Sequence, residues 1–139
     1  MSKRTTKAQL IAGLDKFTRS YIECMLWSTN DESTEQGGEP MDENYGINDI
    51  TRETLESIIA DCAKFQADNA ESIAMGCARS HGYGDDEMAG HDFWLTRVGH
   101  GAGFWDGDWP EPAATKLTDA SEAFGGVWPY VYGGRVRID

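Results

Sequence analysis

Apolar positions recur at helical spacing through the first part of the chain. Leu10, Ile11, Leu14, Phe17, Tyr21, Ile22 and Met25 mark one face, and Thr6 with Gln9 makes a capping-box pattern ahead of them. The spacing predicts one helix over about 7–27, with Gly13 lowering helicity without ending it. From Ser28 to Asp49 apolar content almost vanishes before Met41, Tyr45 and Ile47, and Gly37-Gly38 and Pro40 intervene. This stretch predicts a flexible loop at about 29–49. Leu55, Ile58, Ile59, Cys62, Phe65 and Ile73 then restore a helical stripe. Thr51 is placed to cap that second helix and Glu53 to complement its dipole, and the helix is predicted to reach about residue 74.

The second half changes period. His91-Asp92-Phe93-Trp94-Leu95-Thr96-Arg97 is rich in strand-forming residues, Gly99 to Gly103 reads as a turn, and Phe104-Trp105 begins a return strand. Residues 85–90 predict one short turn before it. Leu117, Ala120 and Phe124 predict a short helix from about Ala114, closed by Gly125-Gly126. A terminal hairpin over 130–137 turns at Gly133-Gly134, which sets Tyr132 opposite Arg135, Val131 opposite Val136 and Tyr130 opposite Arg137. The expected fold is therefore a single α+β domain over 1–139. Its order is two longer N-terminal helices separated by an acidic loop, an antiparallel hairpin, a short helix and a C-terminal hairpin. The inward faces predict Leu14, Phe17, Ile22, Leu55, Ile58, Phe65, Phe93, Leu95 and Phe124 as core.

Size agrees with that reading. Area scaling for 139 residues and 15.4 kDa lets about two-thirds of the unfolded surface be buried. No apolar run approaches the roughly 20 residues of a membrane helix, and the basic start MSKRTTKAQL leads into an amphipathic stretch, unlike a signal peptide. The bacterial cytoplasm is the expected compartment. Cys24, Cys62 and Cys77 include no CxxC pair and predict free thiols in a reducing environment.

Charge changes the picture more than composition does. The net charge is −12, and it is unevenly spread. Residues 1–28 hold five basic and two acidic side chains, whereas residues 31–122 hold five basic and 21 acidic. Asp31 to Asp49 alone holds seven acids and no base. Such a field argues against recruitment of nucleic-acid phosphates by a positive surface. It suits either plain solvation or contact with a basic partner. The Tyr/Arg face of the last hairpin could stack bases, but in this field inter-strand packing is the expected use of those side chains.

Catalytic chemistry is sparse. His91, Asp92, His100 and Asp106 lie within the predicted first hairpin, where they could converge weakly on a divalent metal, with Asp108 nearby. No HExxH spacing is present. A zinc set of Cys62, Cys77, His81 and His91 has no recognised spacing, and Cys77 with His81 or His91 has nothing visible to activate a nucleophile. Gly99, Gly101 and Gly103 link two predicted strands and open no helix, so they do not form a P-loop, and no GxSxG occurs.

The segments Asp42-Glu43-Asn44-Tyr45, Asp61-Cys62-Ala63-Lys64-Phe65, Gly90-His91-Asp92-Phe93-Trp94-Leu95-Thr96-Arg97 and Gly99-His100-Gly101-Ala102-Gly103-Phe104-Trp105-Asp106-Gly107 resemble a family of small, functionally uncharacterised proteins of bacteriophages and prophages. The resemblance runs through most of the chain from Tyr21 onward. It implies an origin in a phage or mobile element and carries no reaction or cofactor with it. Together with the charge, it leads to the expectation of a non-enzymatic accessory protein that binds and inhibits or redirects a host protein with a basic surface. That reading extends to imitation of DNA charge, of the anti-defence type, without direct nucleic-acid or membrane binding. The expected contact residues are Asp42, Glu43, Tyr45, Asp49, Trp94, His100 and Trp105. The alternatives are a small metal-dependent, hydrolase-like enzyme built on the His/Asp hairpin, and a virion structural or assembly protein.

Overall fold

In a computed structural model, which describes residues 5–34, 37–76 and 85–138, the chain is an α+β protein. Helices α1 (Lys7–Ala12) and α2 (Lys16–Ser28) replace the single first helix of the sequence reading. Gly13 closes α1 and Asp15 starts α2 as its N-cap, its carboxylate accepting from the Thr18 amide at 2.8 Å. A local cap thus outcompetes continuation. The acidic stretch contains a two-residue antiparallel ladder, β1 (Asn30–Asp31) with β2 (Glu39–Pro40), and one-turn 3-10 helices at Met41–Glu43 and Ile47–Asp49. Met41 and Ile50 are buried, so this segment is pinned to the body at two apolar points.

Helix α3 (Arg52–Asp68) begins at Thr51, whose hydroxyl accepts from the Thr54 amide. The predicted second helix is interrupted at Asn69, after which α4 (Ala70–Ala74) is a separate short helix. The Asn69 side chain donates to the Phe65 carbonyl at 2.8 Å, taking up a carbonyl at the end of α3.

The predicted strand at 91–97 and the hairpin built on it are corrected. Those residues close a thirteen-residue helix, α5 (Asp85–Arg97), which also absorbs the turn expected at 85–90. Every side chain from Asp92 to Arg97 is buried, so no polar stripe marks the helical period, and Phe, Trp and Thr mimic a strand composition. Gly90 makes the position possible: a Cβ there would overlap the Phe17 carbonyl oxygen of α2. Helix α6 (Ala113–Phe124) and the hairpin of β3 (Pro129–Tyr132) with β4 (Arg135–Ile138) follow as expected, and the hairpin has the predicted register.

Aromatic rings from distant segments fill the centre. Phe65 stacks on Phe93 at 4.1 Å, Tyr21 packs edge-on to Trp94 at 5.4 Å, and Phe104 meets Trp109 at 5.3 Å. Seven of the nine predicted core residues are buried, while Leu14 and Phe124 are half-buried at its margin. Arg97 is buried among them. It donates to Asp61 of α3 at 3.0 Å, to the Tyr21 hydroxyl of α2 at 3.1 Å and to the Gly125 carbonyl at 2.9 Å, and its guanidinium lies 5.4 Å from the Phe93 ring. No helix among the described residues is long and apolar enough to cross a membrane.

Candidate functional site

Helices α2 and α5 pack closely at Gly90, and an open groove of about 520 Å³ is lined by both. Ser20, Glu23, Cys24 and Trp27 line it from α2, Glu87, Met88 and His91 from α5, and Asp42 from the first 3-10 turn. On α2 the spacing of Ser20, Cys24 and Trp27 is that of one helical face. The Ser20 hydroxyl donates to the Glu87 carbonyl at 2.6 Å and ties the two walls together. Cys24 lies on the buried side, where burial first and the Asp92 charge second push its thiol up to about 12. Trp27 is 57% exposed at the mouth. The groove therefore has an apolar lining of indole, thioether and thiol beneath three carboxylates. Glu23 and Asp42 also rim a second groove of about 250 Å³, shared with Tyr45, Ile47 and Leu26.

The residues expected to meet a partner fall in different places. Asp42 and Tyr45 reach the grooves, and Glu43 is exposed on the same 3-10 turn as Asp42. Asp49 is already engaged: one carboxylate oxygen accepts from the Gly46 amide at 2.8 Å and the other faces Arg135 at 3.8 Å. Trp94 is buried, its indole N–H donating to the Ser28 hydroxyl at 2.8 Å, and so leaves the candidate surface. Trp105 is exposed and lines neither groove. His100 is exposed beside a further groove of about 270 Å³ that includes Trp128.

The metal candidates do not converge. Without the first hairpin, His91 and Asp92 stand on α5 while His100 and Asp106 belong to the following loop. The Asp92 carboxylate is turned inward, accepting from the Trp109 indole N–H at 2.7 Å, with its other oxygen 3.3 Å from the His91 ring nitrogen. Asp106 accepts from the Gly103 amide. Among the described residues no three His, Cys, Asp or Glu side chains are grouped so as to hold a metal ion. Cys77 and His81 lie outside the described residues.

Glu23, Trp27, Glu87 and Met88 escaped the sequence reading. The signal for the last two was present: Asp85, Asp86 and Glu87 at one end and Arg97 at the other complement a helix dipole over 85–97. Comparison of the chain with protein-family models, with curated proteins and with solved structures finds no match.

Proposed function

We propose that the protein is a non-enzymatic accessory protein, of phage or mobile-element origin, that binds and inhibits or redirects a host protein through its acidic surface. The observation that carries this reading is the α2–α5 groove, where Glu23, Asp42 and Glu87 surround Trp27 and Met88. A basic side chain entering it would meet carboxylates at the rim and an indole for cation–π contact, while its aliphatic stem covers the thioether. The wider balance of 21 acidic to five basic residues over 31–122 would steer such a partner toward the groove. A partner with a surface built for DNA phosphates fits this charge best, which is the sense in which the protein imitates DNA.

The test uses Glu23→Gln, Asp42→Asn and Glu87→Gln together, leaving Asp49 untouched because it holds Gly46 and Arg135. Binding is measured against an arginine-rich peptide by titration at rising salt. The expected result is an unchanged melting temperature with binding weakened roughly tenfold or more and a shallower salt dependence. Equal binding by the triple variant at every salt concentration overturns the reading.

A further inference from the structure

The terminal hairpin carries a second surface of opposite character. Tyr130 and Tyr132 share one face of β3, and Trp128, just ahead of the strand, continues the same alternation of exposed positions. The register sets Arg137 opposite Tyr130 and Arg135 opposite Tyr132, so two guanidinium groups join the same face. The other face carries Val131 and Val136, and Val136 is buried against the body. The aromatic face has no such cover. Trp128 is 73%, Tyr132 71% and Tyr130 43% exposed, half of the large exposed apolar side chains among the described residues.

Its local charge is also distinct. Residues 122–139 hold two arginines against Glu122 and Asp139, a neutral stretch in a chain of net charge −12. The Arg137 guanidinium lies 5.8 Å from the Tyr132 ring centroid. Arg135 is about half exposed and pairs with Asp49 at 3.8 Å, and the Arg137 Nε donates to the Tyr132 carbonyl at 3.4 Å.

We infer that this hairpin face is a stacking platform for unpaired bases of single-stranded nucleic acid, with Arg135 and Arg137 contacting its phosphates. Side chains two residues apart on a strand stand about 6.8 Å apart, about twice the roughly 3.4 Å rise per base in a stacked strand. One base therefore fits between neighbouring rings. Every base offers a π-face, so the platform is tolerant of sequence. Stacking supplies most of the affinity, because only two cations are present. This site is separate from the acidic groove, and neither requires the other.

The experiment follows fluorescence anisotropy of labelled oligothymidylate and oligouridylate, each about a dozen nucleotides long, titrated with the full-length protein. A duplex of equal length forms the third arm. The expected result is binding of the single strands in preference to the duplex, with the logarithmic salt slope no steeper than about −1.4 for two phosphates. Preference between the two oligonucleotides decides whether the natural strand is DNA or RNA. Trp128→Ala and Tyr132→Ala each weaken binding roughly tenfold, Trp128→Phe restores most of it, and the groove triple variant leaves it unchanged. Both side chains are solvent-facing, and circular dichroism checks that the variants stay folded. No anisotropy change at low salt, equally tight duplex binding, or wild-type affinity in both alanine variants overturns the inference. So does a concentration-dependent dimer that Trp128→Ala abolishes, since the rings would then cover each other.

Discussion

The α2–α5 interface and the β3–β4 hairpin use the same kinds of side chain in opposite ways. In the first, Trp94 is buried with its indole N–H donating to Ser28, and Trp109 of the following loop is buried against α5 with its indole N–H donating to Asp92. In the second, Trp128, Tyr130 and Tyr132 stand in water on a two-stranded element, a form that is marginal by itself. The hairpin is held by its inner face and by few bonds: the Thr51 amide donates to the Val136 carbonyl, and the Ile138 amide to the Thr54 hydroxyl. Substitutions in the first region should thus register as stability, and those on the outer face of the second as binding.

The sharpest way to break this contrast is Gly90→Ala. The added methyl cannot coexist with the Phe17 carbonyl, so α2 and α5 must separate, and a loss of about 3 kcal/mol or more is expected in thermal or denaturant unfolding. Leu55→Ala or Ile58→Ala, each at a fully buried position of α3, should cost about 2–4 kcal/mol by the same measurement. Trp109→Phe keeps most of the apolar volume but leaves the Asp92 carboxylate without its donor, and about 2 kcal/mol is expected. Asp15→Ala removes the cap of α2 and the hydrogen bond from the Gln66 side chain, and should cost about 1 kcal/mol. At the far end of the scale, Tyr132→Ser should stay within about 0.5 kcal/mol of the parent. A loss comparable to that of Trp109→Phe would show that the outer hairpin face belongs to the core after all.

Titration sharpens the same division. Burial holds the Cys24 thiol in its neutral form, so its folded value lies above the ordinary 9.0. The folded state therefore keeps a proton that the unfolded state loses. The associated stability is complete below about pH 9 and falls as pH rises toward 12. Melting temperatures taken across that window should decline, and Cys24→Ala should remove part of the decline, since burial also raises the Cys62 thiol and the Tyr21 phenol.

The two regions also differed in how plainly the sequence announced them. Alternation of Tyr, Val, Tyr around Gly133-Gly134 was enough to read the hairpin register, because a two-residue turn leaves one pairing. Thr51 and the end of α6 were legible for the same reason, since caps are local. Helix α5 was not. Its inward and outward sides are both covered, so the apolar period that identifies a helix is missing over 92–97. The groove depends on α5 lying beside α2, a contact between residues about seventy positions apart in sequence, and thus only Asp42 and His91 of its lining stand out in the sequence as candidate site residues. Asp15 and Asn69, which divide the two predicted long helices, act through single side-chain bonds that a stripe of apolar residues does not register.

Arg97 has a dynamic consequence. It bonds to Tyr21, 76 residues away, to Asp61, 36 away, and to the Gly125 carbonyl, 28 away. Local opening of α2, α3 or the end of α6 would strip a partner from a guanidinium with no route to water. Native-state hydrogen exchange should accordingly find the slowest amides of these helices and of α5 sharing a single opening free energy, and Arg97→Met should split that common value into several.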